Sequence, residues 1–312
     1  MLRILDFISA ICKNLPSASL SLCFILAACG QAAAYTTPWQ QHDHGRTRIA
    51  IAKQEQNDGK SYLVGVVQHE LEPGWKTYWR YAGDAGLPLT VSTLSELPAM
   101  GEVELLWPAP KRILEAGLQS FVYDSSIAIP FRAEWKTPGE TKPARMALSF
   151  MVCQNLCMPV NLSVPLDIKS NIASQTDKEA TALLAAALKT VPQKASPRFT
   201  IKSARWVARD ANEFLELDVA STLTLDKADV IVEGDSAYRF SPPGVILKNG
   251  GTTFRIVAER QIKHAPVPRQ LKVTIIAADT DGEYAAGEYD VAPELAGASS
   301  KQQPSSTAQA KP

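Results

Sequence analysis

The chain has 312 residues, 46% of them apolar and 21% charged, with lysine plus arginine and aspartate plus glutamate at 32 each. This length suits two ordinary domains, and this composition belongs to a folded chain rather than a disordered one. A net charge of zero argues against nucleic acid as a main partner, because neutralising phosphates needs a basic surface.

Residues 1–34 have the form of an export signal. Arg3 and Lys13 supply positive charge, and Leu20 to Ala28 supplies an apolar core too short to span a bilayer comfortably. Ala32-Ala33-Ala34 then offers a cleavage site that leaves Tyr35 as the new N-terminus. A competing reading takes LAAC, Leu26 to Cys29, as a lipobox, so that the protein touches the membrane only through a lipid on Cys29. Either way the body of the chain lies outside the cytoplasm, where disulfides persist. Cys12, Cys23 and Cys29 belong to the signal region, which leaves Cys153 and Cys157 as the only thiols of the globular part.

Residues 35–45, YTTPWQQHDHG, read as a polar lead-in. From Arg46 the hydrophobicity alternates with period two. RTRIAIAKQ, SYLVGVVQHEL, WKTYWRY, LPLTVSTL, GEVELLWP, SIAIPFRAEW, ARMALSFMVC and MPVNLSVPLDI are the expected strands. Turn residues separate them at 57–59, 72–74, 83–86 and 137–139, and the spacing predicts a β-sandwich. Thr176 and Glu179 form a capping box and Pro192 a stop, so one linker helix is expected within 174–192, lying against a sandwich face. A second β-rich domain is expected over 196–292, with strands FTIKSARWVA, EFLELDVAS, KADVIVEG, TTFRIVAERQ and QLKVTIIAADT. Residues 293–312, rich in Ser, Gln, Ala and Pro, are expected to be a disordered tail. The fold class is therefore all-β. After residue 35 no run approaches the roughly 18 apolar residues of a membrane helix.

The pair in CQNLC admits three readings. A three-residue loop between two strands sets the cysteines nearly opposite each other, where facing Cα atoms lie about 4.5–5.5 Å apart, within the range a disulfide accepts. As a staple such a short loop contributes only about 2 kcal/mol, against nearly 5 for a loop of about 100 residues. As a metal clamp it would draw on Met146, Met151 and Met158, soft ligands that suit Cu(I), but alternate strand residues point to opposite faces, so the three cannot all converge. As a redox couple, a short-loop disulfide at a strand end is accessible and readily exchanged. The loop itself holds no lysine, arginine or histidine and starts no helix, so nothing local in the sequence depresses a thiol pKa.

GWKTYWRYAGDAGLP (74–88), WPAPKR (107–112), YDSSIAIP (123–130) and CQNLCMP (153–159) follow one another in this order. The series resembles the periplasmic N-terminal domain of the thiol:disulfide interchange protein DsbD family, in particular the branch of suppressor-of-copper-sensitivity B proteins, over residues 45–168. The resemblance implies an immunoglobulin-like sandwich in which two cysteines cycle between dithiol and disulfide, with no cofactor. It implies that Cys157 forms the mixed disulfide with a partner and that Cys153 resolves it. It also implies thioredoxin-fold periplasmic proteins as partners. The membrane and C-terminal thioredoxin-like domains of full-length members do not occur in these residues, so the electron donor is expected to be a separate membrane protein. Tyr78 matches a tyrosine near the family's active site. Phe121 and Tyr123, in the stretch EAGLQSFVYD, are the candidates for the family's aromatic cap, with ordinary strand-start aromatics as the alternative.

On WKTYWRY, Trp75, Thr77, Trp79 and Tyr81 share one face, expected in the core, and Lys76, Tyr78 and Arg80 share the other. His42 and His44 could offer two imidazoles to a metal, but two ligands in a lead-in make a poor site, and no metal is expected. The expected function is thiol–disulfide exchange in the periplasm. A binding module that handles Cu(I), or a domain with an inert disulfide, is the alternative. Intact-mass measurement of the exported protein should give a chain beginning at Tyr35; a diacylglyceryl adduct on Cys29 would instead establish lipoprotein processing.

Overall fold

The computed structural model describes residues 35–93, 100–136, 144–166, 177–209, 212–234, 236–248, 251–278 and 284–295. The signal region, Thr176, the turn at 137–139 and residues 296–312 lie outside the described residues.

The first half contains β1 (Tyr35–Thr36), β2 (Gln40–His42), β3 (Gly45–Asn57), β4 (Lys60–Leu71), β5 (Lys76–Gly83), β6 (Thr90–Thr93), β7 (Met100–Leu105), β8 (Lys111–Glu115), β9 (Leu118–Asp124), β10 (Ser126–Trp135), β11 (Ala144–Cys153) and β12 (Cys157–Leu166). One sheet has the order β1-β3-β4-β10-β7 with β2 also on β3, and the other β12-β11-β5-β9-β8 with β6 also on β11. Their inner faces meet in a core built on Ile49, Ile51, Leu63, Val67, Ile129 and Phe131 from one sheet and Trp79, Phe121, Leu148 and Phe150 from the other. Each such buried side chain contributes about 1.5–3 kcal/mol relative to an exposed one. Thr77 and Trp79 are buried and Trp75 and Tyr81 pack partly against this core, which is the face the alternation assigns to them.

Period two also explains where the helix sits. Ala50, Ala52, Val64 and Val66 point out of the other face of the first sheet, and most of them are small. Helix α1 (Lys178–Leu188) lays Ala180, Leu184 and Ala187, one stripe at helical spacing, onto them. Its N-cap is Asp177, whose Oδ1 accepts from the Ala180 N–H at 3.0 Å. A carboxylate one residue after the expected Thr176 therefore caps the helix, an interaction worth about 1 kcal/mol. Thr36 Oγ1 donates to Asp177 Oδ2 at 2.5 Å, tying the start of the described chain to the helix.

The lead-in is structured, contrary to expectation. β1 and β2 both pair with β3, and His42 is partly buried. Its Nε2 lies 3.1 Å from Thr47 Oγ1, which lies 2.9 Å from Nδ1 of the wholly buried His69, and both rings pack on Phe150. Polar residues passed for a linker here because their partners lie on strands farther along the chain.

The second half contains β13 (Gln193–Lys194), β14 (Phe199–Arg209), β15 (Asn212–Ser221), β16 (Asp229–Glu233), β17 (Tyr238–Phe240), β18 (Gly244–Lys248), β19 (Gly251–Arg260), β20 (Leu271–Ala278), β21 (Tyr284–Val291) and β22 (Glu294–Leu295). Sheets β13-β21-β20-β16 and β17-β19-β15-β14-β22, the latter with β18 on β19, close over a second core that includes Leu215, Leu217, Phe254, Ile256, Val230 and Val273. β22 falls inside the stretch expected as tail and pairs in parallel with β14. The two sandwiches touch closely. Ile231 of β16 is fully buried in the first core, and Arg80 of β5 makes ion pairs with Glu233 and Glu288.

Burial pushes the His69 imidazole down to about 3, with His42 adding to the shift. The unfolded ring keeps its usual value near 6.5, so the unfolded chain binds the extra proton between the two. This contribution to stability is complete above about pH 6.5 and is lost as pH falls toward 3. The melting temperature should therefore drop less between pH 7 and pH 4 in His69→Gln than in the wild type; equal drops would show that His69 is not the group responsible.

Candidate functional site

The site forms where β11 and β12 meet. Their antiparallel register runs unbroken from Ala144↔Leu166 to Cys153↔Cys157, leaving Gln154, Asn155 and Leu156 as the turn. The two cysteines are disulfide-bonded, with Cα atoms 4.2 Å apart. They are not equivalent. β11 continues into a second pairing, Cys153↔Lys76 on β5, so Cys153 has a strand on each side and is only 2% exposed. Cys157 begins an edge strand and is exposed, next to Leu156, which is 69% exposed.

Tyr78 lies two residues along β5 from Lys76, on the same face. Its ring packs with Val122 and Cys153, with Met151, Ile113 and Ala82 around them. Its hydroxyl lies 3.8 Å from Cys157 Sγ, within hydrogen-bonding range of a sulfur. Burial, with help from the Glu115 carboxylate, pushes this phenol above its ordinary value. It therefore remains protonated at neutral pH and could donate to a thiolate once the disulfide opens.

Sequence reasoning overlooked Lys76 and Glu115. The Lys76 ammonium pairs with Glu115 Oε2 at 2.5 Å, and Lys76 is the lateral strand neighbour of Cys153. A basic residue is therefore the lateral neighbour of Cys153, supplied by another strand rather than by the CQNLC loop. The signal was present in the alternation, which puts Lys76 on the Tyr78 face. What it lacked was the identity of the strand flanking β11.

Phe121 and Tyr123 lie elsewhere. The stretch expected as a cap forms the turn and second strand of hairpin β8–β9, and both rings point into the core, on the opposite face of β9 from Val122. Phe121 stacks on Tyr81 with centroids 5.5 Å apart, and the Tyr123 hydroxyl donates to Pro108 O at 2.6 Å. The structure brings Tyr78 to the sulfurs and leaves these two rings beneath the sheet. Of the three methionines, Met146 is fully buried in the main core, Met158 packs against that core, and Met151 lies on the Tyr78 side. His44 stacks on Trp75 at 3.5 Å and faces Glu72. Among the described residues no group of three or more His, Cys, Asp or Glu side chains could hold a metal ion.

Residues 50–165 match the family "Thiol:disulfide interchange protein DsbD, N-terminal", and residues 190–289 match a domain of unknown function, DUF8393. No curated protein sequence matches the chain. The crystal structure of the N-terminal periplasmic domain of ScsB from Proteus mirabilis superposes with a TM-score of 0.64 at 18% identity, covering 84% of this chain and 99% of that one. The shared fold therefore extends over both sandwiches. The reduced DsbD N-terminal domain of Neisseria meningitidis covers 44% of this chain and 86% of its own, at 12% identity and a TM-score of 0.25. Among the described residues no helix is long and apolar enough to cross a membrane.

The unequal exposure of the two sulfurs has a direct test. After reduction, a small alkylating reagent added below one equivalent should modify Cys157 at least about tenfold faster than Cys153, as read by peptide mass mapping. Equal labelling would mean that the burial of Cys153 does not survive reduction.

Proposed function

We propose that this protein exchanges electrons with protein partners in the periplasm through Cys153 and Cys157, a reading supported by the match of residues 50–165 to the DsbD N-terminal family. The observation that carries the reading is the asymmetry of the pair: one sulfur at an exposed strand edge, the other held between two strands. In the reducing direction the Cys157 thiolate attacks a partner disulfide. A mixed disulfide forms and one partner sulfur leaves as a thiolate. Cys153, as thiolate, then attacks the Cys157 sulfur, which restores the internal disulfide and releases the second partner thiol. Two electrons pass to the partner and the protein ends oxidised. A separate membrane protein then returns two electrons to the pair. Thioredoxin-fold proteins are the proposed partners, since their paired thiols perform the complementary half of the exchange. The exported location, by cleavage before Tyr35 or by lipidation at Cys29, is part of the same proposal.

The geometry supports these roles. Attack by or on a sulfur needs access to it, and Cys157 is exposed on an edge strand. Resolution needs a second thiol already within bonding distance, and the cross-strand register supplies it without a rearrangement of the backbone. The fold does not depend on the bond. A loop this short contributes only about 2 kcal/mol, while the stability lies in the apolar core.

Cys153→Ser and Cys157→Ser, expressed separately and quenched with acid, test the assignment on non-reducing gels. Cys153→Ser should accumulate a thiol-sensitive adduct with a thioredoxin-fold protein, and Cys157→Ser should accumulate little. The reverse pattern would exchange the two roles. No adduct from either variant, with the partner present, would reject exchange, and a reduction potential below about −300 mV would then mark the bond as structural.

A further inference from the structure

The second sandwich contains no cysteine, yet it grips the two segments bordering the site. Arg239 on β17 reaches across to the first sandwich. Its Nη2 lies 2.6 Å from Asp84 Oδ2 and donates to Gly117 O at 2.8 Å. Asp84 opens the loop between β5 and β6, and Gly117 sits in the turn between β8 and β9. The same Asp84 Oδ2 accepts the Gln119 N–H at 2.6 Å, and the Asp84 N–H donates to Gln119 O at 2.8 Å. Gln119 in turn donates from Nε2 to Phe240 O at 3.0 Å. Arg112 on β8 makes a two-pronged pair with Asp229 of β16 and donates to Val230 O at 2.8 Å. The second sandwich thus holds both the 84–88 loop and the β8–β9 hairpin through charge-assisted hydrogen bonds, the stronger kind.

Both segments lead to the sulfur. Two residues after Asp84, Gly86 lies flat on the Tyr78 ring at a φ of +95°. A Cβ there would fall 2.2 Å from the ring, so only glycine allows the contact. The Tyr78 hydroxyl then meets Cys157 Sγ. Two residues before Gly117, Glu115 holds Lys76, the neighbour of Cys153. Two short chains of contact therefore run from Arg239 to the redox pair.

We infer that the second sandwich is a brace for the exchange site, and that Arg239 is the positioning residue through which it holds Tyr78 and the Lys76–Glu115 pair against the two sulfurs. The inference rests on the proposed exchange function for its purpose, but not for its test. The brace holds in place the hairpin that the family resemblance assigns to a cap, so access to Cys157 here does not wait for that segment to swing away.

The test uses the whole chain with Arg239→Gln, Arg239→Lys and, as a remote surface control, Lys53→Ala. Three quantities are measured: the pH profile of Cys157 alkylation in the reduced protein, hydrogen exchange at the Gln119 amide, and the rate of exchange with a thioredoxin-fold protein. Arg239→Gln should leave the melting curve close to wild type. It should speed Gln119 amide exchange about tenfold, because that amide's acceptor is no longer held. It should move the alkylation profile to higher pH, with reaction at pH 7 slowed about threefold, because the Tyr78 donor is no longer aimed at the thiolate. Partner exchange should slow by at least that factor, and Arg239→Lys should recover most of the loss. An alkylation profile unchanged in Arg239→Gln overturns the inference, even if the amide exchanges faster, because the contact would then be structural only. If the wild type exchanges with no thioredoxin-fold partner, the proposed function fails, and the first two measurements still decide for or against the brace.

Discussion

The site depends on a single row of strand pairing. Cys157, Cys153, Lys76 and Asp124 stand side by side on four neighbouring strands, β12, β11, β5 and β9. One step of slip in any of these ladders would turn a side chain to the opposite face of the sheet. The register is held by burial on the inner face, where Leu148, Phe150 and Val152 on β11 alternate with the residues that look outward. The core therefore does more than stabilise the fold. It fixes, to one residue, which sulfur lies inside the sheet and which lies on its rim.

The electrostatics of the neighbourhood follow from the same row. Lys76 is delivered to Cys153 by pairing rather than by sequence proximity, and its charge is met by Glu115 from the next hairpin. Tyr78 is buried enough to stay protonated and still close enough to bond a sulfur. A neutral donor thus meets a pair whose own loop contains no ionisable group, and a cation–anion pair is anchored on the strand next to it. The second sandwich enters this arrangement from behind, through arginines that span the junction: Arg80 and Arg112 reach out from the first sandwich, and Arg239 reaches back from the second. Guanidinium groups suit such a junction because they bond two acceptors at once while remaining partly hydrated.

Much of this architecture was legible in the alternation of residues. ARMALSFMVC and the strand after it announce a hairpin, and the hairpin announces the opposed cysteines. The face of WKTYWRY that carries Trp79 was legible too. What escaped was everything set by partners distant in the chain. YTTPWQQHDHG passed for a linker because the Thr47–His69 pairing that orders His42 lies on β3 and β4. The core placement of Phe121 and Tyr123 could not be read from the sequence because the short, exposed strand β8 beside them has no strong period of its own. The flank of β11 could not be named, since β5 meets it at one residue only. The capping residue differed by one position because Asp and Thr are both good N-cap acceptors, each for the N–H three residues further on, and local sequence does not choose between them.

The placement of proline on β12 has a consequence for the open sheet edge that carries Cys157. Pro159 and Pro165 share the phase of Cys157, and they pair with Met151 and Arg145. Proline has no N–H to give to β11, so at these positions the backbone donors would have faced away from the sheet, along its open side. That open side therefore lacks two of the five donors it would otherwise present between residues 157 and 165. A foreign strand can meet the backbone at Cys157 but cannot zip onward from there. The sulfur stays available to a visitor that comes and goes, while the strand carrying it is a poor seed for the edge-to-edge growth by which exposed sheets polymerise.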